Sequence, residues 1–466
     1  MNDIGLLGLG VMGQSLVLNI ENKGFSVSVF NWTPEETKTF MANKVKCEKI
    51  TAYYDIKDFV RSLTRPRKVF LMIKAGKPVD NMIQELLPCL QKGDLIIDGG
   101  NSYFKDTSRR IEELKQKGIL YLGVGVSGGE EGALNGPSLM PGGSKEAYDL
   151  VKNILLKIAA RTEEGPCCIY AGNNSAGHFV KMLHNGIEYA IMQGISEIYD
   201  ILRKVLKLSS EEIGEIFENW NKGELNSFLM EISYKVMKRK DEITNKPMVE
   251  IILDKAGQKG TGKWTAETSL DLGIPTPSLN AAVEARELSF FKEQRMDLSK
   301  KVSKSDPQIS VDKEKLINDL RKSLLFSDFL IFSQGLWLMA EASNIYNYDV
   351  DIPGVLKIWK GGCIIRSKML DFIIQIIKEN KDNVNLLNNE KSLLFLLDKL
   401  NSVKYVTSIA KDYHIPTPVL NTCLDYFFSL TEENLPANLI QAQRDFFGAH
   451  TYNRIDKEGI FHTEWE

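Results

Sequence analysis

The sequence predicts two architectures in series: an α/β domain with a parallel sheet over residues 1–176, then a large all-helical domain over 177–437. A tail, 438–466, follows. Three observations carry this. Short apolar runs in the first third are each followed by a Gly-rich or small-residue loop and a helical run, the pattern of a sheet covered on both faces. After residue 176 the strand signals fade and long helical periods take over. The helical part also repeats itself. Ile274-Pro275-Thr276-Pro277 returns 141 residues later as Ile415-Pro416-Thr417-Pro418, and Gln193-Gly194 returns as Gln334-Gly335. Copies of about 177–298 and 316–437 are expected, with the polar stretch Ser299–Lys315 between them.

The first strand is Ile4–Leu7, followed by Gly8-Leu9-Gly10-Val11-Met12-Gly13 and a helical run from Gln14. G-x-G-x-x-G between strand and helix predicts a dinucleotide site of the Rossmann type. The first glycine makes the turn, the second admits a pyrophosphate, and the third lets helix pack on strand. The second strand, Phe25–Phe30, leads into Asn31-Trp32-Thr33. An NAD-preferring site would end this strand in Asp or Glu, and neither stands here, which points to NADP. Asn31 and Thr33 can donate to a phosphate. Trp32 either stacks on adenine or a ribose edge, or is a half-buried loop aromatic.

Val69–Ile73 is a third strand, ending in Lys74-Ala75-Gly76. Leu95–Asp98 ends in Gly99-Gly100-Asn101-Ser102, and Leu120–Val126 ends in Ser127-Gly128-Gly129. Ligands of such sheets bind beyond the carboxyl ends of the strands, so Ile73, Lys74, Ala75, Asn101 and Ser127–Gly129 become candidates. Ordinary turn chemistry reads the same residues equally well. Pro137–Gly143 reads as a loop, and the last strand is expected near Cys168–Tyr170.

In the helix that opens the second domain, Lys181, His184, Asn185, Glu188 and Tyr189 share one face. Met182, Leu183, Ile187, Ala190 and Ile191 are apolar. Taken alone, that polar face suits any solvated helix. The repeat supplies a control. In the second copy Lys322 matches Lys181, but Leu325, Phe326, Phe329 and Leu330 replace the other four. The fold does not require polar groups there, so proton transfer and hydrogen bonding explain them better.

Composition narrows the classes. The 466 residues are 43% hydrophobic and 26% charged with net charge −3, which argues against nucleic acid or an acidic membrane as the main partner. The six cysteines lack metal-ligand spacing and the five histidines form no cluster, so no metal is expected. No apolar run is expected to span a bilayer, and the chain opens on a strand with no room for a leader. A reduced, cytoplasmic protein is the expectation.

Two further stretches remain. Gln258-Lys259-Gly260-Thr261-Gly262-Lys263-Trp264 has phosphate-loop composition without the spacing of a nucleotide-triphosphate loop, and Arg286 follows on a later helix. The tail carries Gln443-Arg444-Asp445-Phe446-Phe447-Gly448-Ala449-His450. With Gly8–Gly13, Asp98–Asn101, Gly125–Gly132, Lys181–Tyr189 and Ile252–Trp264, these stretches make the chain resemble the 6-phosphogluconate dehydrogenases over essentially its whole length. The resemblance implies NADP-dependent oxidative decarboxylation of 6-phosphogluconate by a homodimer whose C-terminal tails reach the partner's site. It implies Lys181 as base and Glu188 as acid, with His184 and Asn185 orienting the substrate. Ser127, Gly128 and Gly129 would hold its carboxylate end, and Asn101 would contact both substrate and cofactor. Tyr189, Lys259, Thr261 and Arg286 would hold its phosphate, with Arg444 and His450 lent by the partner. The base would be kept neutral by burial and by the neighbouring cations Lys259 and Arg286. One departure stands out: the family usually has Arg where Trp32 stands. Two rivals remain, another β-hydroxyacid dehydrogenase with an unphosphorylated substrate, and a catalytically silent dinucleotide sensor.

Overall fold

The computed structural model describes residues 1–302, 307, 309–379 and 385–465. Seven strands form one sheet: β1 Ile4–Leu7, β2 Val27–Phe30, β3 Ile50–Ala52, β4 Lys68–Leu71, β5 Leu95–Asp98, β6 Leu120–Ser127 and β7 Ser138–Gly143. Their order is β3-β2-β1-β4-β5-β6-β7. The first six run parallel and β7 runs antiparallel to β6. Every residue of β1, β2 and β5 is buried, since helices cover both faces. One face builds its core on Leu6, Leu16 and Val29, the other on Leu7, Val69 and Ile96. The order reverses between β1 and β4, so the Gly8 loop and the Lys74 loop flank the crevice where such sheets bind ligands.

Two sheet expectations need correction. Pro137–Gly143 is no loop; most of it is β7. Its prolines and glycines hid the strand. Pro141 can sit there because it faces away from β6, its carbonyl accepting from Ala171 N at 2.7 Å. The strand expected near Cys168–Tyr170 is only a single bridge from Cys168 to Leu139, the segment running along the outer edge of β7. Strand β3, three residues long, had no sequence counterpart.

In the helical part the first long helix, Ala176–Lys204, packs on the second, Lys313–Ile345. Helix starts at Phe228 and Met369, and at Pro277 and Pro418, keep the 141-residue offset, as do the ends at Lys204 and Ile345. Each copy also caps the other. Glu197 on the first long helix accepts Val419 N at 2.9 Å and Leu420 N at 3.0 Å, where helix Pro418–Thr431 begins. Gln334 on the second accepts Ser278 N at 3.0 Å, where helix Pro277–Ser289 begins. Of the stretch expected to separate the copies, Ser303–Asp306 and Gln308 lie outside the described residues, and a helix runs to Lys301 before it.

The second long helix corrects another expectation. It is long and apolar enough to cross a membrane by length and composition, but 94% of that stretch is buried inside the molecule. It is a core helix. It also carries Asp328, which occupies the place of Ile187 in the first copy and whose Oδ1 has no hydrogen-bond partner. Burial raises its carboxyl from 3.8 to about 8. The native state therefore holds this proton more tightly than the unfolded chain, and stability falls as pH rises across that window. Thermal melts at pH 6 and pH 9 should show a smaller pH-dependent loss for Asp328→Asn than for wild type. Equal losses would mean that Asp328 does not titrate in this range.

Candidate active site

Strand β6 brings the sheet and the first long helix into direct contact. A Cβ at Gly125 would lie 2.5 Å from Lys181 Cβ, so glycine there lets the helix settle on the strand. Lys181 is thereby seated beside Ser127, the last residue of β6. The polar face is buried rather than solvated: Lys181, His184, Asn185 and Tyr189 are all under a tenth exposed, and the Glu188 side chain is 20% exposed. In the second copy Leu325, Phe326, Phe329 and Leu330 are plain core.

His184 is the hub. Its Nδ1 lies 3.2 Å from Lys181 Nζ and 3.1 Å from Asn185 Oδ1. Its Nε2 lies 3.0 Å from Ser127 Oγ and 2.9 Å from Cys363 Sγ. Glu188 Oε2 is 3.6 Å from Nδ1, and Asn185 Nδ2 donates to Thr261 Oγ1 at 3.0 Å. Burial, then the Lys181 charge, hold His184 well below its usual pKa, so it is a neutral imidazole.

Burial also lowers Lys181 and raises Glu188. Their mutual attraction opposes both shifts, and burial wins. The expected contribution of Lys259 and Arg286 to the lysine is corrected: burial is the cause, and the main charge that acts on Lys181 is Glu188, in the opposite sense. Neutral amine with protonated acid, and ammonium with carboxylate, hold the same number of protons. Their ratio is set by the gap between the two pKa values, not by pH, and burial narrows that gap.

The remaining candidates surround this centre. Arg286 stacks on the Tyr189 ring, 3.4 Å from its centroid, and donates to Gly257 O at 3.2 Å. Ile73, Lys74, Ala75, Gly76 and Asn101 face Gln258, Lys259 and Trp264 across a cleft of about 630 Å³. Buried Arg110 joins the two sheet loops, donating to Gly76 O at 3.0 Å and lying 3.6 Å from Asp98. Gly128 and Gly129 have φ of +108° and +63° and start a short helix beside Ser127.

At the dinucleotide loop, Gly8 has φ +104°, and a Cβ on Gly13 would lie 1.9 Å from Gly8 O. Gly10 leaves the first turn of helix Val11–Asn22, with Val11 and Met12, free of any side-chain cap. A pyrophosphate fits that cradle of amides. Arg444 and His450 are not brought to this chain's centre. Arg444 donates to Gln441 on its own helix, and His450 lies edge-on to Phe447.

Residues 3–172 match the NAD binding domain of 6-phosphogluconate dehydrogenase, and residues 177–465 match the 6-phosphogluconate dehydrogenase C-terminal domain. The chain belongs to the 6-phosphogluconate dehydrogenase family. A decarboxylating, NADP(+)-dependent 6-phosphogluconate dehydrogenase from Bacillus subtilis is 50% identical over 99% of this chain and 98% of its own. A decarboxylating, NAD(+)-dependent 6-phosphogluconate dehydrogenase from the same organism is 45% identical over 100% and 99%. The solved 6-phosphogluconate dehydrogenase of Plasmodium falciparum superposes with a TM-score of 0.95 at 44% identity, over 99% of this chain and 100% of that one.

Cofactor choice thus differs among 6-phosphogluconate dehydrogenases of similar distance, which directs attention to the loop after β2. Asn31 Oδ1 accepts Leu9 N at 3.0 Å, and its Nδ2 donates to Glu36 Oε2 at 2.6 Å. A carboxylate therefore does stand at this corner, six residues beyond the strand end where the sequence showed none. Trp32 is 66% exposed, and the Thr33 side chain makes no cap bond to helix Pro34–Lys44.

Sequence reasoning missed two residues of this 6-phosphogluconate dehydrogenase centre. Cys363 touches His184 Nε2, and Trp359 lies edge-on to the His184 ring at 5.7 Å. Both come from the second copy. The only signal was the pair Gly361-Gly362 just before Cys363, which lets that loop approach Gly136 and Pro137 ahead of β7.

Proposed function

We propose that the protein oxidises and decarboxylates 6-phospho-D-gluconate to D-ribulose 5-phosphate and CO2 with NADP+. The observation that carries this reading is a buried lysine, lowered in pKa, and a largely buried glutamate, raised in pKa, on one face of the helix that packs on β6 of the dinucleotide domain. Bound NADP+ supplies the two-electron acceptor. Lys181 takes the hydroxyl proton as the carbinol carbon is oxidised, leaving a β-keto acid. The C–C bond to the carboxylate then breaks with release of CO2, its electron pair passing toward the keto oxygen, to which Lys181 returns its proton to give an enediol; Lys181 takes that hydroxyl proton again as the ketone forms. Glu188 gives the proton that C1 needs. Asn185 and neutral His184 orient the hydroxyl and stabilise the oxyanion. Ser127, Gly128, Gly129 and Asn101 hold the carboxylate end. Tyr189, Lys259, Thr261 and Arg286 hold the phosphate. Absorbance of reduced nicotinamide tests the reading directly: NADPH should form with 6-phosphogluconate and not with gluconate. Turnover of gluconate at a similar rate would favour another hydroxyacid dehydrogenase, and binding of NADPH without turnover a sensor.

Preference for NADP rests here on Asn31, Thr33 and Trp32 without an arginine, and with Glu36 close by. An arginine would add a charge on the 2′-phosphate that Trp32 lacks. Trp32→Arg should raise kcat/KM for NADP over NAD by about 10-fold or more, the worth of one charge-assisted hydrogen bond. An unchanged ratio on steady-state assay with both cofactors would refute this role for position 32.

The same reading includes a cytoplasmic homodimer. Leu439, Ile440, Phe446 and Phe447 of the terminal helix are all more than half exposed, and the helical core takes nothing from residues 438–465. Such a segment needs a surface to cover, and a second copy supplies it. Its conformation is set from within: Asp445 accepts Thr451 N, Thr463 N, His462 Nδ1 and Trp465 Nε1, all between 2.9 and 3.0 Å. The tail folds back on its helix as one clip and can present Arg444 and His450 to a partner's phosphate site.

A further inference from the structure

We propose that Cys363, contributed by the second helical copy, is a positioning residue that holds the single proton of His184 on Nε2 and so leaves the Lys181 lone pair free for substrate. The inference rests on the proposed role of Lys181 as base.

His184 is completely buried and neutral, so its ring carries one proton with two places to go. With the proton on Nε2, Nδ1 is an acceptor. It then takes one N–H from Lys181 at 3.2 Å and, with the Asn185 amide turned over so that Thr261 Oγ1 donates to its oxygen, another from the Asn185 amide nitrogen, and the amine lone pair can point into the cleft. With the proton on Nδ1, that N–H points at Asn185 Oδ1 and at Lys181 Nζ. A neutral Lys181 would then accept from the imidazole, and the lone pair that must take the substrate proton would be occupied. The productive tautomer therefore needs a dependable acceptor at Nε2.

Two atoms stand there, Ser127 Oγ and Cys363 Sγ. The serine is shared. Its hydroxyl donates toward Cys363 Sγ at 3.7 Å, and it accepts Ile364 N at 3.4 Å. It lies next to the Gly128-Gly129 turn proposed for the substrate carboxylate, and a bound carboxylate redirects its hydroxyl. The sulfur stays. Two other donors already face it, Ser127 Oγ–H and the Ile365 N–H, which direct its lone pairs toward donors and suit it to accept. It remains a thiol, pushed up to about 12 by burial, so no thiolate competes for the proton. Geometry holds it in place. The loop Gly361–Ile364 is tied to the sheet by Ser138 N donating to Gly362 O at 2.8 Å, and a Cβ on Gly128 would meet Gly362 O at 2.7 Å. The charged and titratable groups facing the Lys181–His184 pair are Glu188 on their own helix and Cys363 from the opposite loop, with Arg286 acting on Glu188.

The test uses full-length protein labelled with ¹⁵N in its five histidines, as wild type, Cys363→Ala and Cys363→Ser. Imidazole ¹⁵N shifts distinguish the tautomers without any turnover. Wild type should show His184 protonated on Nε2, and Cys363→Ala should shift toward Nδ1–H, with Cys363→Ser, which keeps an acceptor, restoring it. In the pH–rate profile, Cys363→Ala should lower kcat about five- to tenfold, the worth of one hydrogen bond. Its acid limb should also move to lower pH, because an Nδ1–H facing Lys181 disfavours the ammonium. A purely structural role would lower stability and move neither the tautomer nor the limb. That result, or a wild-type ring already protonated on Nδ1, overturns the proposal. Failure of wild type to oxidise 6-phosphogluconate would overturn the proposed function instead, and the spectra would still report the tautomer.

Discussion

Lys181→Ala loses hydride transfer, with kcat for NADPH formation falling roughly 10³- to 10⁴-fold, the upper range for removal of a general base. Neither titratable neighbour on its helix replaces it. His184 is pushed well below its ordinary value by burial, and Glu188 is pushed up and is needed as the acid. Binding should change only a few-fold, because Lys259, Thr261 and Arg286 are proposed to hold one end of the substrate and Ser127–Gly129 the other. Wild-type kcat/KM should rise through an acid limb set by the lowered lysine, and that limb should vanish in the variant. Activity within tenfold of wild type, read by reduced-nicotinamide absorbance, would remove Lys181 from the role.

Arg444→Ala and Lys181→Ala, each nearly silent at substrate concentrations below KM, recover activity when unfolded together and refolded as a mixture. The expectation follows from the proposed exchange of tails. In a mixed dimer one site takes its lysine from one chain and its tail arginine from the other, and both are intact. The second site lacks both. Random pairing makes about half the dimers mixed, with one live site of two, so about a quarter of wild-type activity should return. Arg444→Ala alone should raise KM for 6-phosphogluconate about 10- to 100-fold, as loss of one charge-assisted hydrogen bond to phosphate requires. If the mixture gives no more than the sum of its parts, the arginine serves its own chain's site or none. The Asp445 clip keeps the single substitution local, since Asp445 holds the tail without help from Arg444.

The sequence by itself determined what depends on near neighbours and on period. The strand–glycine–helix unit at Ile4–Asn22 was legible because a tight turn with φ +104° at Gly8 and a helix packed against Gly13 leave room for little but glycine. The five polar residues from Lys181 to Tyr189 were legible as one face because the helical repeat is local. The repeat then set four of them apart, since Leu325, Phe326, Phe329 and Leu330 show that the same fold accepts apolar core at their places.

Only the tertiary structure decided the rest, because each remaining feature is a contact between distant segments. His184 and Cys363 are 179 residues apart, and nothing near either one announces the other. Asn31 and Glu36 meet through the turn into a helix, so a carboxylate absent from the strand end still reaches the corner. Strand β7 exists because Pro141 faces outward, which depends on register rather than on composition. The lysine's lowered pKa comes from burial beneath two domains, not from the cations that the sequence could name. Burial is the sum of everything folded around a group, and a single chain read in order does not contain it.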